Sequence, residues 1–162
     1  MSSTENGLGM EAVVERSNVA RATAYKEGVE RLVSAVEAAA QGEDEWKAGL
    51  SAGLGAGLDL LAADPTLARL LLVEAPAAGP IRLEHERSLV RLAEALRPPV
   101  GHPIAAGVVA ETARLIAGGL VSHLSGRVLA GEAERLGEDR NLLLEYLLAP
   151  SLAADARVAA AI

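Results

Sequence analysis

From Tyr25 onward the apolar residues Val29, Leu32, Val33 and Val36 return at the spacing of one helical face, with Glu27, Glu30, Arg31 and Glu37 mostly opposite. The pattern predicts a helix that ends near the sequence AQGEDE, where Gly42 supplies the stop. A second helix is predicted from about Asp44 to Ala63, closed by ADP because the residue before a proline is pushed out of the α region. Pro65 opens a short third helix, PTLARLLLVEA, which PAAGP breaks. The fourth, IRLEHERSLVRLAEALR, carries Leu83, Leu89, Val90, Leu92, Ala93 and Leu96 as its apolar side and ends at Pro98-Pro99. A long fifth helix follows from about Ile104 to Ala130, then a link from Gly131 to Gly137. A sixth runs from about Glu138 to Ala149, stopped by Pro150 ahead of an Ala-rich tail. No stretch alternates with period two, so the fold class is all-α, a bundle of about six helices. Ser2–Gly9 is polar and aperiodic and reads as a disordered leader.

The last two long helices carry an excess of apolar surface. In the fifth, Val109, Ala113, Ile116, Leu120, Leu124 and Val128 form one stripe, and Gly119, Ser122 and Gly126 put small residues on a neighbouring face. The sixth, RNLLLEYLLAP, is apolar nearly all round. A terminal helix of that kind predicts burial against a second copy of the chain, a homodimer through a four-helix interface formed by Leu120, His123, Leu124, Leu143, Tyr146 and Leu147. The alternative is a monomer whose Ala-rich tail folds back over the sixth helix.

Composition narrows the function classes. The chain has 162 residues with 51% hydrophobic content, no Phe, one Trp and two Tyr, so its core is aliphatic and suited to helices. A net charge of −7, and six acidic against four basic side chains over Met1–Ala40, argue against holding nucleic acid through phosphate contacts alone. Cysteine is absent, which excludes disulfides and thiolate metal sites and suits the cytoplasm. The N-terminal sequence does not have the make-up of a signal peptide. Every apolar run is interrupted by charge before the roughly 18 residues a membrane span needs.

The phrase LLAADPTLARLLLVEAPAAGP (Leu60–Pro80), the closing LIAGGLVSHLSGRVLAGE and NLLLEYLLAPSL, and the order of the helices resemble the C-terminal regulatory domain of TetR-type (tetracycline-repressor-like) transcriptional repressors over about Arg21 to Leu152. The resemblance implies a domain at 21–162 that dimerises and encloses a small-molecule effector, and an N-terminal helix-turn-helix headpiece that reads DNA. SNVARATAY is similar to such a recognition element, with Arg21, Thr23 and Tyr25 as its DNA-binding candidates. Two further helices would have to fit into Met1–Val19, where only Met10–Arg16 is helix-like. ATAYKEGVERL aligns better with the family's connecting helix. Residues 1–20 therefore read as leader plus a shortened headpiece remnant, or as chance similarity in an Ala/Val/Arg-rich helix.

The second helix repeats Gly49, Gly53 and Gly57 on one face beside the stripe Leu50, Leu54, Leu58 and Leu61. Each mid-helix glycine costs about 1 kcal/mol relative to alanine, so something must compensate. Either another helix packs very close, or the missing side chains form a cavity wall for a ligand. The candidate ligand-binding residues are Trp46, Leu50, Gly53, Leu54 and Gly57, with polar contributions from Glu74, His85, Glu111 and Thr112. Each polar residue also has an ordinary solvent-facing alternative.

Enzyme readings fail on the required parts. GLGAGL lies inside a helix without the preceding strand of a dinucleotide fingerprint, and LEHE lacks the second histidine of a zinc helix. No catalytic residue, metal site or cofactor is assigned. The sequence thus supports a TetR-like regulator body with a small apolar or amphipathic effector, DNA contact left open and no membrane partner. The alternative is a ligand-free helical protein–protein interaction module. An enclosed cavity of a few hundred cubic ångströms beside Gly53 and Leu54 would favour the receptor.

Overall fold

α1 (Ser3–Gln41) is one uninterrupted helix of 39 residues, about 58 Å from end to end. The computed structural model describes residues 3–77, 79–95 and 110–159, and among them there is helix and no strand. Two expectations change along α1. The polar leader is helical from Ser3. Met10–Tyr25 contains no turn, so it takes the form of plain helix where a headpiece remnant would need a break. Gly28, the residue nearest to a turn signal there, is buried where α3 crosses, and a Cβ on it would lie 2.5 Å from Leu67 Cδ1.

α2 (Trp46–Ala63) returns antiparallel to α1, and its glycine ridge faces α1. A Cβ on Gly49 would lie 3.0 Å from the Ala40 carbonyl oxygen, one on Gly53 3.1 Å from that of Val36, and one on Gly57 3.2 Å from Val36 Cγ2. The two helix backbones approach so closely that no side chain fits between them, which offsets the glycines' propensity cost. Gly55, off this ridge, makes room for the Arg140 guanidinium, whose Nη2 donates to the Ser51 carbonyl at 3.1 Å.

Asp64 ends α2 and caps α3 (Pro65–Arg69), its carboxylate accepting from the Leu67 N–H at 3.0 Å while Pro65 takes the first turn. The helix then loosens into a π-helical turn, Leu70–Glu74, before α4 (Ala75–Ala77). Pro76 explains the widening. It has no N–H for the carbonyl of Leu72 four residues back, and its ring pushes that carbonyl outward. The Ser125 hydroxyl, 2.7 Å from the Leu72 oxygen, satisfies it. Ser125→Ala leaves this part-buried carbonyl without its partner, and urea unfolding should show a loss of about 1–2 kcal/mol.

α5 (Gly79–Ala95) buries Ile81 and His85, which lie four residues apart. Leu83, expected on the apolar side, is exposed, because the inward stripe includes a histidine that a purely apolar pattern skips. The side chains of Leu92, Ala93 and Leu96, the Pro98-Pro99 stop and the expected helix start at Ile104 lie outside the described residues.

α6 (Ala110–Leu129) turns Ile116, Leu120, Leu124 and Val128 inward. Gly131, at φ +80°, closes it: its N–H donates to the Val128 carbonyl at 3.1 Å, and the Glu132 N–H donates to that of Arg127 at 3.0 Å. The expected link is mostly a 3-10 turn (Ala133–Asp139) that plants Leu136 in the core. Arg127 holds this turn to α6 through Glu132 at 2.9 Å and Asp139 at 3.3 Å, and His123 reaches the same Asp139 at 2.9 Å. α7 (Arg140–Ala159) continues past Pro150 and does not stop there. The missing N–H of Pro150 falls opposite the carbonyl of Tyr146, an exposed residue that water can serve, so the Ala-rich segment propagates the helix.

The core joins Tyr25, Leu58, Leu61, Leu67, Leu71, Ile81, Leu120, Leu124, Leu136 and Leu143. Four of the residues expected between two copies are therefore already covered: Leu120, Leu124, Leu143 and Leu147 are buried within one chain. His123 is engaged with Asp139 in the same chain, and only Tyr146 keeps a substantially exposed apolar side chain. The helix stripe was visible, but its bulky face points inward and its small-residue face outward.

Candidate functional site

A cavity of about 330 Å³ lies between α1, α2 and α5, floored by the π-helical turn and α6. Its α1 side is Tyr25, Val29, Leu32, Val33 and Val36, and its α2 side is Gly49, Leu50, Gly53, Leu54, Gly57, Leu58 and Leu61. The glycine ridge therefore answers both alternatives at once: it lets α1 approach closely and it leaves wall space beside the contact. A volume of this order is at the lower end of small-molecule pockets, and the lining is mainly aliphatic.

The polar groups are segregated to the two ends. At the inner end Tyr25, 2% exposed, sits against His85, 8% exposed, with the phenol oxygen 3.2 Å from Nδ1 and Ser88 beside them. Sixty residues separate the two in sequence, and their rings meet edge on. Burial pushes the Tyr25 hydroxyl up from its ordinary value, opposed by its hydrogen bond with Ser88 and reinforced by the nearby Glu84 carboxylate. Burial also pushes His85 down from 6.5, against a smaller opposing effect of Glu86. Both groups are thus neutral near pH 7. If the phenol donates to Nδ1, the imidazole proton is on Nε2; if it accepts from Nδ1, Nε2 is an acceptor. Nε2 has no partner among the described residues.

At the other end, next to the α1–α2 turn, the lining residues Glu37, Glu43 and Glu45 are exposed and Trp46 is half-buried. This is the mouth, where Glu37 lies about 18 Å along α1 from Tyr25.

Because the folded state holds His85 neutral while the unfolded chain protonates it near 6.5, its contribution is fully present above that pH. Acidification below 6.5 should therefore erode stability as pH falls toward the depressed folded-state value. Urea unfolding from pH 7.5 to 5 is expected to show this slope in the wild type and a shallower one in His85→Gln. Equal slopes would remove His85 as the cause.

Of the candidate ligand residues, Trp46, Leu50, Gly53, Leu54, Gly57 and His85 line the cavity. Glu74 does not: it pairs with Arg69 at 3.3 Å on the surface. Thr112 is half-buried on α6 away from the cavity lining, and the Glu111 side chain lies outside the described residues. Arg21 and Thr23 are exposed on α1, but Tyr25, a DNA candidate in the sequence, is a buried wall of the cavity. Leu120 and Leu124, expected between subunits, are part of its floor. The pairing of Tyr25 with His85 was not foreseen, because no local pattern joins residues on different helices so far apart. Among the described residues no three His, Asp or Glu side chains come together to hold a metal ion, and no helix is long and apolar enough to cross a membrane. No protein-family model, curated protein or solved structure matches the chain.

Proposed function

We propose that this chain is the effector-sensing, homodimerising body of a TetR-like transcriptional regulator, and that its cavity receives a small apolar or amphipathic ligand. The single observation that carries this reading is the cavity itself: aliphatic along its length, polar at its inner end, and walled by two helices that three glycines bring into close contact. A core without a ligand role has little reason to keep a Tyr–His pair next to vacant aliphatic space, since filling such space gains about 0.8 kcal/mol per methylene.

The uncharged fluorophore N-phenylnaphthylamine tests it. Its emission is expected to rise on addition to the full chain, saturating in the micromolar range, and to be lost in Leu54→Trp, which fills the cavity while keeping helical content and melting temperature. Absence of any binding by the folded wild type overturns the receptor reading.

Homodimerisation is proposed through the outward faces of α6 and α7. Leu115, Gly118, Ser122, Gly126 and Leu129 form one exposed stripe on α6, and Leu142 and Tyr146 continue it on α7, where the Tyr146 ring rests over Gly119. This replaces the buried leucines of the sequence expectation with residues that a second copy can reach. For DNA, the continuous helix Ser3–Gln41 and the net charge of −7 lead to a plain expectation: this chain alone leaves duplex DNA unshifted in low-salt electrophoresis. Regulation would then run through what the body dimerises with.

A further inference from the structure

The charge around the cavity is one-sided. Glu37, Glu43 and Glu45 stand at the mouth, against a single guanidinium, Arg91 of α5, among the described lining residues. Lys47 follows Trp46 on α2 but does not line the cavity. None of the three carboxylates is in an ion pair with another described residue. The inner end, in contrast, is lined by no charged side chain, the Glu84 and Glu86 carboxylates lying outside the lining: Tyr25, His85 and Ser88 are neutral there, and His85 is more than nine-tenths buried with Nε2 unpartnered among the described residues. The lining between the ends is aliphatic. An occupant matched to this profile has an apolar body and a cationic head, with the head at the mouth.

We propose that the ligand is a cationic amphiphile, an aliphatic or aromatic body ending in an ammonium group, which enters body first and leaves its charge among Glu37, Glu43 and Glu45. This rests on the receptor reading above and specifies its ligand class. A fatty carboxylate of the same length is disfavoured by the same groups. In a solvated mouth, three carboxylates against one guanidinium amount to a preference of about tenfold.

The test uses the full chain and three probes of one tail length below their micellar concentrations: decyltrimethylammonium, decanol and decanoate. Emission of Trp46, the one tryptophan of the chain, reports binding at the mouth, and calorimetry reports it independently. The expected order is the ammonium about tenfold tighter than the alcohol, with the carboxylate weakest, and added salt narrowing the differences. In the triple variant Glu37→Gln, Glu43→Gln, Glu45→Gln, the ammonium should fall to the affinity of the alcohol while the alcohol binds as before, which also shows that the variant is folded. Alcohol or carboxylate binding as tightly as the ammonium overturns the cationic class and leaves the receptor reading standing. An ammonium preference that survives in the triple variant overturns the role of these carboxylates. If none of the probes binds and N-phenylnaphthylamine does not either, the receptor reading fails with it.

Discussion

Valine at position 53 is expected to destabilise the protein by about 3 kcal/mol, lowering its melting temperature by about 6–12 °C. The reason lies in what the new side chain would meet. The first added carbon already comes within 3.1 Å of both the Val36 carbonyl oxygen and Val36 Cγ1. A side-chain methyl can rotate away, but a helix carbonyl is fixed by its own hydrogen bond, so α1 must retreat as a whole. That retreat would also open the neighbouring close approaches of Gly49 to Ala40 and Gly57 to Val36. Helix propensity alone gives the opposite sign, since replacing a mid-helix glycine usually stabilises a helix by up to about 1 kcal/mol. Urea denaturation followed by circular dichroism therefore discriminates cleanly: an unchanged or raised midpoint would mean that α1 and α2 are not in backbone contact at this point.

Introducing glutamate at both Leu115 and Leu142 is expected to turn a dimer of 16.6 kDa chains into folded monomers. The two leucines are 76% and 57% exposed in the single chain, and Tyr146 between their stripes is 42% exposed. Covering a leucine side chain is worth about 1.5–3 kcal/mol, and the proposed dimer would cover two such pairs. Their loss, with like charges facing across the symmetry axis, should weaken association by more than about a thousandfold. Sedimentation equilibrium reads the mass directly. The contrasting substitution is Leu124→Glu: it places a charge in the core of one chain and should unfold it, whereas the outer-face variant should keep its helical signal. A wild type that sediments as a single copy at high concentration sinks the dimer proposal.

Which parts of this were readable in the residues follows from the range of the forces involved. The helices around Val29–Val36, Leu50–Leu61 and Ile116–Val128 were legible because their apolar spacing is a local signal. Gly131 and the ADP stop were legible for the same reason, since capping involves only a few neighbouring residues. Pro150 was misread: a proline removes one hydrogen bond, and an Ala-rich segment beyond it still propagates. The leader was misread because polarity was taken as disorder. Periodicity also showed that α6 has a bulky and a small face, but not which of them turns inward, which depends on what α2, the π-helical turn and the 3-10 turn present to it. The cavity was half legible. Trp46, Leu50, Gly53, Leu54, Gly57 and His85 could be picked out, but the partner that places His85, Tyr25, had been set aside for DNA. Glu74 was drawn in by its position after a leucine run, and in three dimensions it belongs to Arg69.

The joint between the cavity floor and the outer helix pair has a property that follows from the chemistry of a hydroxyl. Ser125 lies 2.7 Å from two carbonyl oxygens, that of Leu72 on the π-helical turn and that of Val121 one turn back on its own helix. A hydroxyl has a single hydrogen to give, so at any instant one of these acceptors goes without it. Leu72 and Val121 both line the cavity, and Ser122 and Gly126, one turn before and one residue after Ser125, belong to the exposed stripe. One hydroxyl thus ties the chamber's floor to the helix that carries the exposed stripe.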